Sequence, residues 1–221
     1  MNKLTKTKDG SYTLYSEHFK EHYHSLHGAV TESNHIFINK GLSLLKNHKK
    51  ISILELGFGT GLNTVLTLHH IAQKKIFYHS IEAYPLSQNT LNCYLESLSD
   101  NYHSQYQAII KAPWNIPYKL SSYFTLLKDQ SLFQAMTLKT TYDLVYADAF
   151  SPRKQPECWS SDIFTKIYNH MNLNAILVSY CSQSKFKKML NNIGFSVKTL
   201  PGPPGKREIT QATKIQDSYQ E

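Results

Sequence analysis

Residues 55–61, with the sequence ELGFGTG, combine an acid and three glycines directly after an apolar stretch. Glycines allow a backbone to turn sharply and to approach a ligand closely. Loops that bind a pyrophosphate have the spacing G-x-G-x-x-G at a helix N-terminus, whereas this loop has the spacing G-x-G-x-G. S-adenosylmethionine carries no phosphate but has an ammonium group. Glu55 is suited to accept a hydrogen bond from that group. The loop therefore predicts a site for that cofactor.

A second acid, Glu82, ends the next apolar stretch and lies roughly 20 residues beyond the last glycine of the loop. Doubly wound folds place an acid at this distance to accept hydrogen bonds from the two ribose hydroxyls. A glycine cluster by itself is also compatible with an ordinary tight turn. The order strand, glycines, helix, strand and acid favours a cofactor site.

A third acid, Asp148, ends the apolar stretch 144–147. Ligands of open α/β sheets bind at the carboxyl ends of the strands, so Asp148 is expected to face the same crevice as the glycine loop. A carboxylate at that place suits an amine substrate, whose ammonium group it would orient and deprotonate. Asp143, at the start of the same stretch, is interpreted as structural or solvent-facing.

Apolar periodicity and turn residues predict the elements that position these acids. Strands are predicted at 51–56, 76–83, 124–127, 142–149, 175–180, 196–200 and 207–212, with a strand-like piece at 12–15. Helices are predicted at 33–47, 62–73, 86–98, 160–170 and 183–193, and most of 100–140 has no assignment. This alternation indicates an α/β fold with a doubly wound, mostly parallel sheet. The short final loop permits only a hairpin, so an antiparallel strand is expected near the C-terminus, as in class I S-adenosylmethionine-dependent methyltransferases.

The 221 residues carry a formal net charge of +8, from 24 Lys and Arg against 16 Asp and Glu. That balance favours an anionic partner such as nucleic acid, although a lysine-rich surface that only maintains solubility would give the same charge. The two arginines, Arg153 and Arg207, lie in loops that also carry other candidate residues. A planar guanidinium is preferred where a phosphate must be bound through two hydrogen bonds.

Cysteine and histidine usage gives no sign of a disulfide framework or a metal site. Cys93, Cys158 and Cys181 are odd in number and far apart. The four histidines between residues 18 and 27 lack the ligand pattern of a zinc site, and His24 or His27 is expected to meet the substrate. The chain has no apolar run of membrane-spanning length and no signal-peptide pattern, so a cytoplasmic protein is expected.

Six segments carry a resemblance to a known family. They are TLYSEHFKEHYHSLHGA, ESNHIFI, ILELGFGTGLNT, IEAYPL, DLVYADAFSPRKQPECW and LPGPPGKREI, and they spread from about residue 13 to residue 213. Together they resemble the MnmC-type methyltransferases of bacterial tRNA 5-methylaminomethyl-2-thiouridine synthesis, in the free-standing form without a flavin-dependent oxidase domain. The family commonly has paired glycines before its fifth strand, where this chain has Asn174-Ala175. Asn tolerates the left-handed backbone, so the turn is expected to form.

The resemblance implies methyl transfer from S-adenosylmethionine to the aminomethyl nitrogen of 5-aminomethyl(-2-thio)uridine at the tRNA wobble position. It implies the tRNA anticodon loop as partner, no membrane and no metal, and a separate oxidase or aminomethyl-forming enzyme upstream. By matching position, the expected cofactor-binding residues are Glu55, Gly57, Phe58, Gly59, Thr60, Gly61, Asn63, Glu82 and Ala83. Asp148 is the expected catalytic residue beside the amine. The expected substrate- and tRNA-binding residues are Phe150, Pro152, Arg153, Lys154, Lys206 and Arg207.

Other interpretations stay open beside this one. The fold also suits a methyltransferase or aminopropyl transferase for a small amine, although the basic charge argues against a small cationic substrate. A non-catalytic RNA-binding module is the third possibility, and the presence of Glu55, Glu82 and Asp148 argues against it. One methyltransferase domain is expected over 1–221, with an N-terminal segment and helix (1–50) covering the substrate side, a cofactor-binding core (51–213) and a tail (214–221).

Overall fold

The computed structural model describes residues 3–71 and 73–216. Residues 217–221 of the expected tail lie outside the described residues. The chain begins with a small antiparallel sheet of three strands, β1 (Lys3–Lys6), β2 (Tyr12–Ser16) and β3 (Glu21–His22). Only the central strand had a sequence signal, because its partners are short and half-exposed and so lack a buried apolar face.

The prediction of one helix over 33–47 is wrong about both where the helix begins and where it ends. The helix begins earlier, as α1 (Ala29–Ser33), continues as a π-helical turn (Asn34–Asn39), and is followed by a separate 3-10 turn (Leu42–Leu45). The break falls at Gly41, which has φ −120° and ψ −89°, and where a Cβ would lie 2.5 Å from the carbonyl oxygen of Phe37.

The early start of α1 depends on capping groups from a distant loop. Gly28, the N-cap residue, has no side chain to accept the first backbone N–H groups. Ser11 Oγ accepts from the backbone N–H groups of Ala29 and Val30 at 3.2 and 3.3 Å, and Asp9 Oδ2 accepts from Thr31 at 2.9 Å. Because these acceptors lie about twenty residues upstream, no local capping pattern marks this helix in the sequence.

An eight-stranded sheet forms the centre of the molecule. Its strands are β4 (Lys50–Leu56), β5 (Lys75–Glu82), β6 (Tyr118–Lys119), β7 (Phe124–Gln130), β8 (Tyr142–Ala147), β9 (Met171–Ser179), β10 (Phe195–Pro201) and β11 (Glu208–Lys214). Their spatial order is β10-β11-β9-β8-β4-β5-β7-β6. Strands β7, β5, β4, β8 and β9 are mutually parallel, whereas β11 is antiparallel to both of its neighbours. The expected doubly wound sheet with an antiparallel strand near the C-terminus is therefore confirmed.

Five longer helices cover the two faces of this sheet: α2 (Leu62–His70), α3 (Gln88–Glu96), α4 (Asp100–Lys111), α5 (Ser161–Asn169) and α6 (Ser184–Ile193). Helices α2, α3 and α4 share one apolar core with α1 and the turns that follow it, while α5 and α6 share the other. Helix α4 had no sequence assignment, because only three of its twelve residues are buried, Tyr106, Ile109 and Ile110, and polar residues fill most of its other positions. The three-layer arrangement leaves the carboxyl ends of the parallel strands open at one edge.

Two local expectations are met. Ser160 caps α5, its hydroxyl accepting the backbone N–H of Ile163, as the helix prediction 160–170 requires. Asn174 has φ 64°, so the turn that often carries glycines is made by a left-handed Asn. Among the described residues, none of the helices has the length and apolar character needed to cross a bilayer.

Candidate active site

A cavity of about 350 Å³ opens at the carboxyl ends of β4, β5 and β8, within the range of about 300–1,000 Å³ typical of small-ligand sites. Its walls come from the N-terminal segment, the glycine loop, the strand ends and the β10–β11 loop. The lining residues are Phe19, 21–27, Glu32, 57–60, Leu62, Asn63, Glu82, Ala83, Phe133, 148–150, Gln155, Tyr180 and Lys206. Residues far apart in sequence therefore face one space.

The glycine loop makes a tight cradle on one side of this cavity. Gly57 has φ 93°, and a Cβ there would lie 2.8 Å from the backbone oxygen of Asp148. Gly59 has φ 52°, and a Cβ there would meet the ring of Tyr23 at 3.1 Å. Side chains would be strained at both positions, so the loop fits a ligand that approaches its backbone closely. Tyr106 supports the loop from below by donating its hydroxyl to the carbonyl oxygen of Thr60.

Glu82 connects the end of β5 to the glycine loop. One carboxylate oxygen accepts the backbone N–H of Gly59 at 3.0 Å, and the other accepts the backbone N–H of Tyr84 at 2.8 Å. Burial raises the pKa of Glu82, and these backbone donors oppose the rise. A carboxylate held in this way has free acceptor positions left for hydroxyl groups of a ligand in the cavity.

Glu55 lies beneath the loop rather than on the cavity wall. It is fully buried, and it accepts hydrogen bonds from Ser80 Oγ at 2.5 Å and Thr64 Oγ1 at 3.5 Å. Burial raises its pKa to about 7, against the effect of hydrogen bonds that include one from Asn63. Gly61 likewise does not line the cavity and packs against the Phe58 ring. Direct contact of Glu55 with a ligand ammonium stays a prediction, and its observed contacts are structural.

Asp148 lies at the inner end of the cavity, directly beside the glycine loop. Its Oδ2 accepts from Asn63 Nδ2 at 2.8 Å, and its backbone N–H donates to the carbonyl oxygen of Leu56 at 3.0 Å. Burial raises the pKa of Asp148 well above its ordinary value, although the hydrogen bond from Asn63 lowers it. A carboxyl with a raised pKa in a cleft is suited to proton transfer.

Aromatic rings also line the cavity. Phe150 stacks on Phe19, with ring centroids 4.3 Å apart and planes at 28°, and meets the edge of Tyr23 at 4.9 Å. Trp159 is buried in the core and donates its ring N–H to the carbonyl oxygen of Phe150 at 2.8 Å. Tyr84 is exposed beside His18. The rings of Phe150 and Phe19 therefore offer the stacked aromatic surface.

The basic candidates separate into two groups. Arg153, Lys154 and Arg207 are exposed outside the cavity, and Pro152 lies in the same turn as the first two. Lys206 points inward: its ammonium lies 2.7 Å from Glu32 Oε2 and 4.8 Å from the centroid of the Tyr180 ring. Lys206 of this loop therefore points into the cavity. The neighbouring Arg207 lies in solvent, with a side chain that is 94% exposed.

Several cavity residues had no sequence signal for a role at the site. Glu21 accepts the backbone N–H and hydroxyl of Ser151, and so fixes the loop after β8 to the N-terminal segment. Glu32 and Tyr180 contact Lys206. Their acid and aromatic character is common on surfaces and in cores, so only their positions in the fold distinguish them.

His24, which the sequence placed near the substrate, lines the cavity. Its Nε2 lies 3.3 Å from Thr60 Oγ1, and its Nδ1 lies 3.3 Å from Thr13 Oγ1. Burial lowers its pKa to about 4, and the ring is neutral near neutral pH. Across the described ranges, no group of three or more His, Cys, Asp or Glu is arranged to hold a metal ion.

The sheet order and the position of the cavity define the class I methyltransferase fold. A sequence model of the S-adenosyl-L-methionine-dependent methyltransferase family matches residues 95–215. The chain belongs to this family, so S-adenosylmethionine is its methyl donor.

Individual relatives are similar along nearly the whole chain. The tRNA 5-methylaminomethyl-2-thiouridine biosynthesis bifunctional protein MnmC of Campylobacter hominis is 27% identical over 205 residues, which are 90% of this chain and 31% of that protein. The protein of the same name from Burkholderia multivorans is 26% identical, over 89% of this chain and 33% of that protein. This chain thus spans about a third of the length of these curated relatives. The crystal structure of MNMC2 from Aquifex aeolicus superposes with a TM-score of 0.83 and 27% identity, covering 100% of this chain and 73% of that one.

Proposed function

We propose that this protein methylates the aminomethyl nitrogen of 5-aminomethyl(-2-thio)uridine at the wobble position of tRNA. The observation that carries the proposal is the half-buried Asp148 carboxylate, which faces the same cavity as the glycine loop and the Phe150 ring. The names of the MnmC relatives support the choice of a modified tRNA nucleoside as substrate. The aminomethyl group itself would be supplied by a separate enzyme, such as an oxidase acting upstream.

The cofactor would lie along the glycine loop and strand ends. We assign its amino acid end to the loop backbone and Asn63, and its ribose hydroxyls to Glu82. The proposed cofactor-binding set is Glu55, Gly57, Phe58, Gly59, Thr60, Gly61, Asn63, Glu82 and Ala83. Glu55 and Gly61 do not line the cavity, and Gly61 packs against the Phe58 ring. When bound, S-adenosylmethionine supplies an electrophilic methyl group.

Asp148 would prepare the amine for reaction. An alkyl amine is mostly protonated at neutral pH and then has no lone pair to donate. The Asp148 carboxylate would accept a hydrogen bond from the ammonium group and take its proton, directly or through a water molecule. Its fixed position, set by Asn63 and by the backbone bond to Leu56, would hold the amine in line for displacement.

The nucleoside would enter from the aromatic side of the cavity. A wobble base lies in a single-stranded loop and can be splayed out onto an aromatic ring. The stacked rings of Phe19 and Phe150 would form that platform. Arg153, Lys154 and Arg207 are exposed near it and would contact phosphates, which predicts salt-sensitive binding.

The expected division of the chain into a covering segment and a core becomes part of this proposal. Described residues from both ranges, 19–32 in the first and 57–206 in the second, line one cavity. We therefore treat 1–50 and 51–213 as parts of a single catalytic unit.

The test is methyl transfer from labelled S-adenosylmethionine to bulk tRNA from a strain lacking the gene, with nucleosides identified by mass. Label on a methylaminomethyl uridine is the expected result. The variant Asp148→Asn should lower turnover by about 10²–10⁴-fold, the usual contribution of proton transfer by a positioned group. Asp162→Asn, at an exposed position of α5, is the matched control and should keep full activity.

Two outcomes would contradict the proposal. Full turnover by Asp148→Asn at saturating tRNA would remove Asp148 from the chemistry. Label on a small amine but not on tRNA would identify the substrate as a small molecule and leave only the cofactor site standing.

A further inference from the structure

A half-buried ion pair crosses the substrate side of the cavity. Lys206 Nζ, from the β10–β11 loop, lies 2.7 Å from Glu32 Oε2, from α1, and their side chains are 27% and 12% exposed. The second oxygen of Glu32 accepts the backbone N–H of Ser25 at 3.2 Å. The pair therefore joins the C-terminal loop to the N-terminal segment where both face the cavity.

This pair differs from the other ion pair at the same edge of the sheet. Lys187 lies 3.5 Å from Glu208, outside the cavity, and Glu208 is more exposed than Glu32. Taking two charges partly out of water has a desolvation cost, which the attraction between them offsets only partly. A pair of this kind is a weak source of stability, so its placement calls for another explanation.

Asp148 supplies that explanation, because Glu32, Lys206 and Asp148 all line the same cavity. We propose that Glu32 and Lys206 form a positioning pair that balances the charge around the Asp148 carboxylate. Lys206 favours the ionised form that accepts a proton, while Glu32 neutralises Lys206 and keeps it from pairing with Asp148 or repelling an incoming ammonium group. The inference rests on the proposed function for the role of Asp148 as a proton acceptor. Its geometric basis is the ion pair and its position in the cavity.

The charged and titratable groups around Asp148 come from five elements. Burial is the largest influence and raises the pKa of Asp148; Asn63 lowers it, Glu32 and Glu55 raise it, and Lys206 lowers it. The Tyr180 ring lies under Lys206, and burial raises the pKa of its hydroxyl well above the ordinary value, so it stays neutral. These groups belong to five parts of the chain: Asn63 on α2, Glu55 on β4, Glu32 on α1, Tyr180 after β9, and Lys206 in the β10–β11 loop.

Opposite charges make opposite predictions for the two members of the pair. In Lys206→Met the Glu32 carboxylate is left without its cation, so the Asp148 titration midpoint should rise. In Glu32→Gln the Lys206 ammonium is left without its anion, so the midpoint should fall. Each shift should be about one pH unit, the usual spread among folded proteins. The Asp148 midpoint of the double variant should return close to that of the unmodified protein. If the pair had only a structural role, the midpoints of the two single variants would move in the same direction.

The experiment is a pH titration of the protein labelled with ¹³C at aspartate carboxyl carbons, followed by NMR. The resonance missing in Asp148→Asn identifies Asp148. Lys187→Met is the matched control, because it removes an ion-paired lysine outside the cavity and should leave the midpoint unchanged. Thermal unfolding of every variant checks folding, and Glu32→Gln preserves shape and an acceptor for Ser25.

Each outcome is decisive. Midpoints that move in opposite directions in the two single variants support the proposed role of the pair. The acid limb of the pH profile of kcat/KM for tRNA methylation should then move in the same direction as the midpoint of each variant. No shift, or shifts in one direction, would overturn the inference. The titration needs no substrate, so it stays separate from the proposed function: opposite shifts together with full turnover by Asp148→Asn would reject the catalytic role and retain the pair.

Discussion

Glu82 offers the sharpest test of the cofactor site, because both of its carboxylate oxygens have defined partners. One accepts the backbone N–H of Gly59 and the other that of Tyr84. In Glu82→Gln the side chain keeps its size but has one acceptor oxygen and one NH₂ group. The NH₂ group must then face one of the two backbone N–H donors, whichever way the amide is turned.

Two costs follow from this geometry. An unsatisfied N–H at a partly buried site costs about 1–3 kcal/mol of unfolding free energy. The neutral amide also loses the charged hydrogen bonds that we assign to the ribose hydroxyls, each about 1–1.5 kcal/mol stronger to a charged acceptor than to a neutral one. Two such bonds give about 2–3 kcal/mol, or about 30- to 150-fold weaker binding of S-adenosylmethionine.

Isothermal titration calorimetry of S-adenosylmethionine binding, together with thermal unfolding, measures both quantities. Glu96→Gln makes the same chemical change at an exposed position of α3 and should alter neither. Binding within twofold of the unmodified protein in Glu82→Gln would refute the ribose assignment. An unchanged melting temperature would refute the argument about the backbone donors.

Two further variants test how the N-terminal segment is held. Burial raises the pKa of Asp9, but its hydrogen bonds, from Ser11 and Thr31 among others, outweigh that effect and hold the pKa well below the usual range. Such a group stabilises the fold above its unfolded pKa, and the contribution is lost as pH falls towards the native pKa. Asp9→Asn should therefore lower the free energy of unfolding, measured by urea denaturation, by about 1 kcal/mol at pH 7 and by less at pH 3. An equal loss at both pH values would contradict this reasoning. Gly205 has φ 86°, and a Cβ there would lie 2.2 Å from the His27 ring. Gly205→Ala should therefore reduce turnover on tRNA, while calorimetry should find S-adenosylmethionine binding intact. Weakened cofactor binding would show that the loop supports the cofactor side of the cavity instead.

The strands and the acids at their ends were predictable because their signals are local. The run from Leu144 to Ala147 is fully buried, and a continuous apolar run is typical of a strand covered on both faces. Once the strand ends at Ala147, the parallel sheet puts Asp148 at the edge where Glu82 also lies. For these residues the pattern of a few neighbours determines the position in the fold.

Other parts of the site depend on contacts that no local pattern contains. Glu32 looks like an ordinary helix residue, and only the return of the β10–β11 loop brings Lys206 to it. Lys206 and Arg207 are adjacent and both basic, so the sequence could not say which of them turns inward. Glu55 is buried against Ser80 and does not line the cavity, a placement that its position in the sequence did not indicate.

The interior position of β11 has a consequence for synthesis on the ribosome. Residues 210–213 of β11 pair with Ile176–Ser179 of β9 on one side, and residues 208–214 pair with β10 on the other. Until they have left the exit tunnel, β9 has an open edge, and unpaired apolar edges invite association with other chains. The nascent protein must therefore pass through a stage with an incomplete sheet, and its solubility during translation depends on how quickly one late hairpin closes that edge.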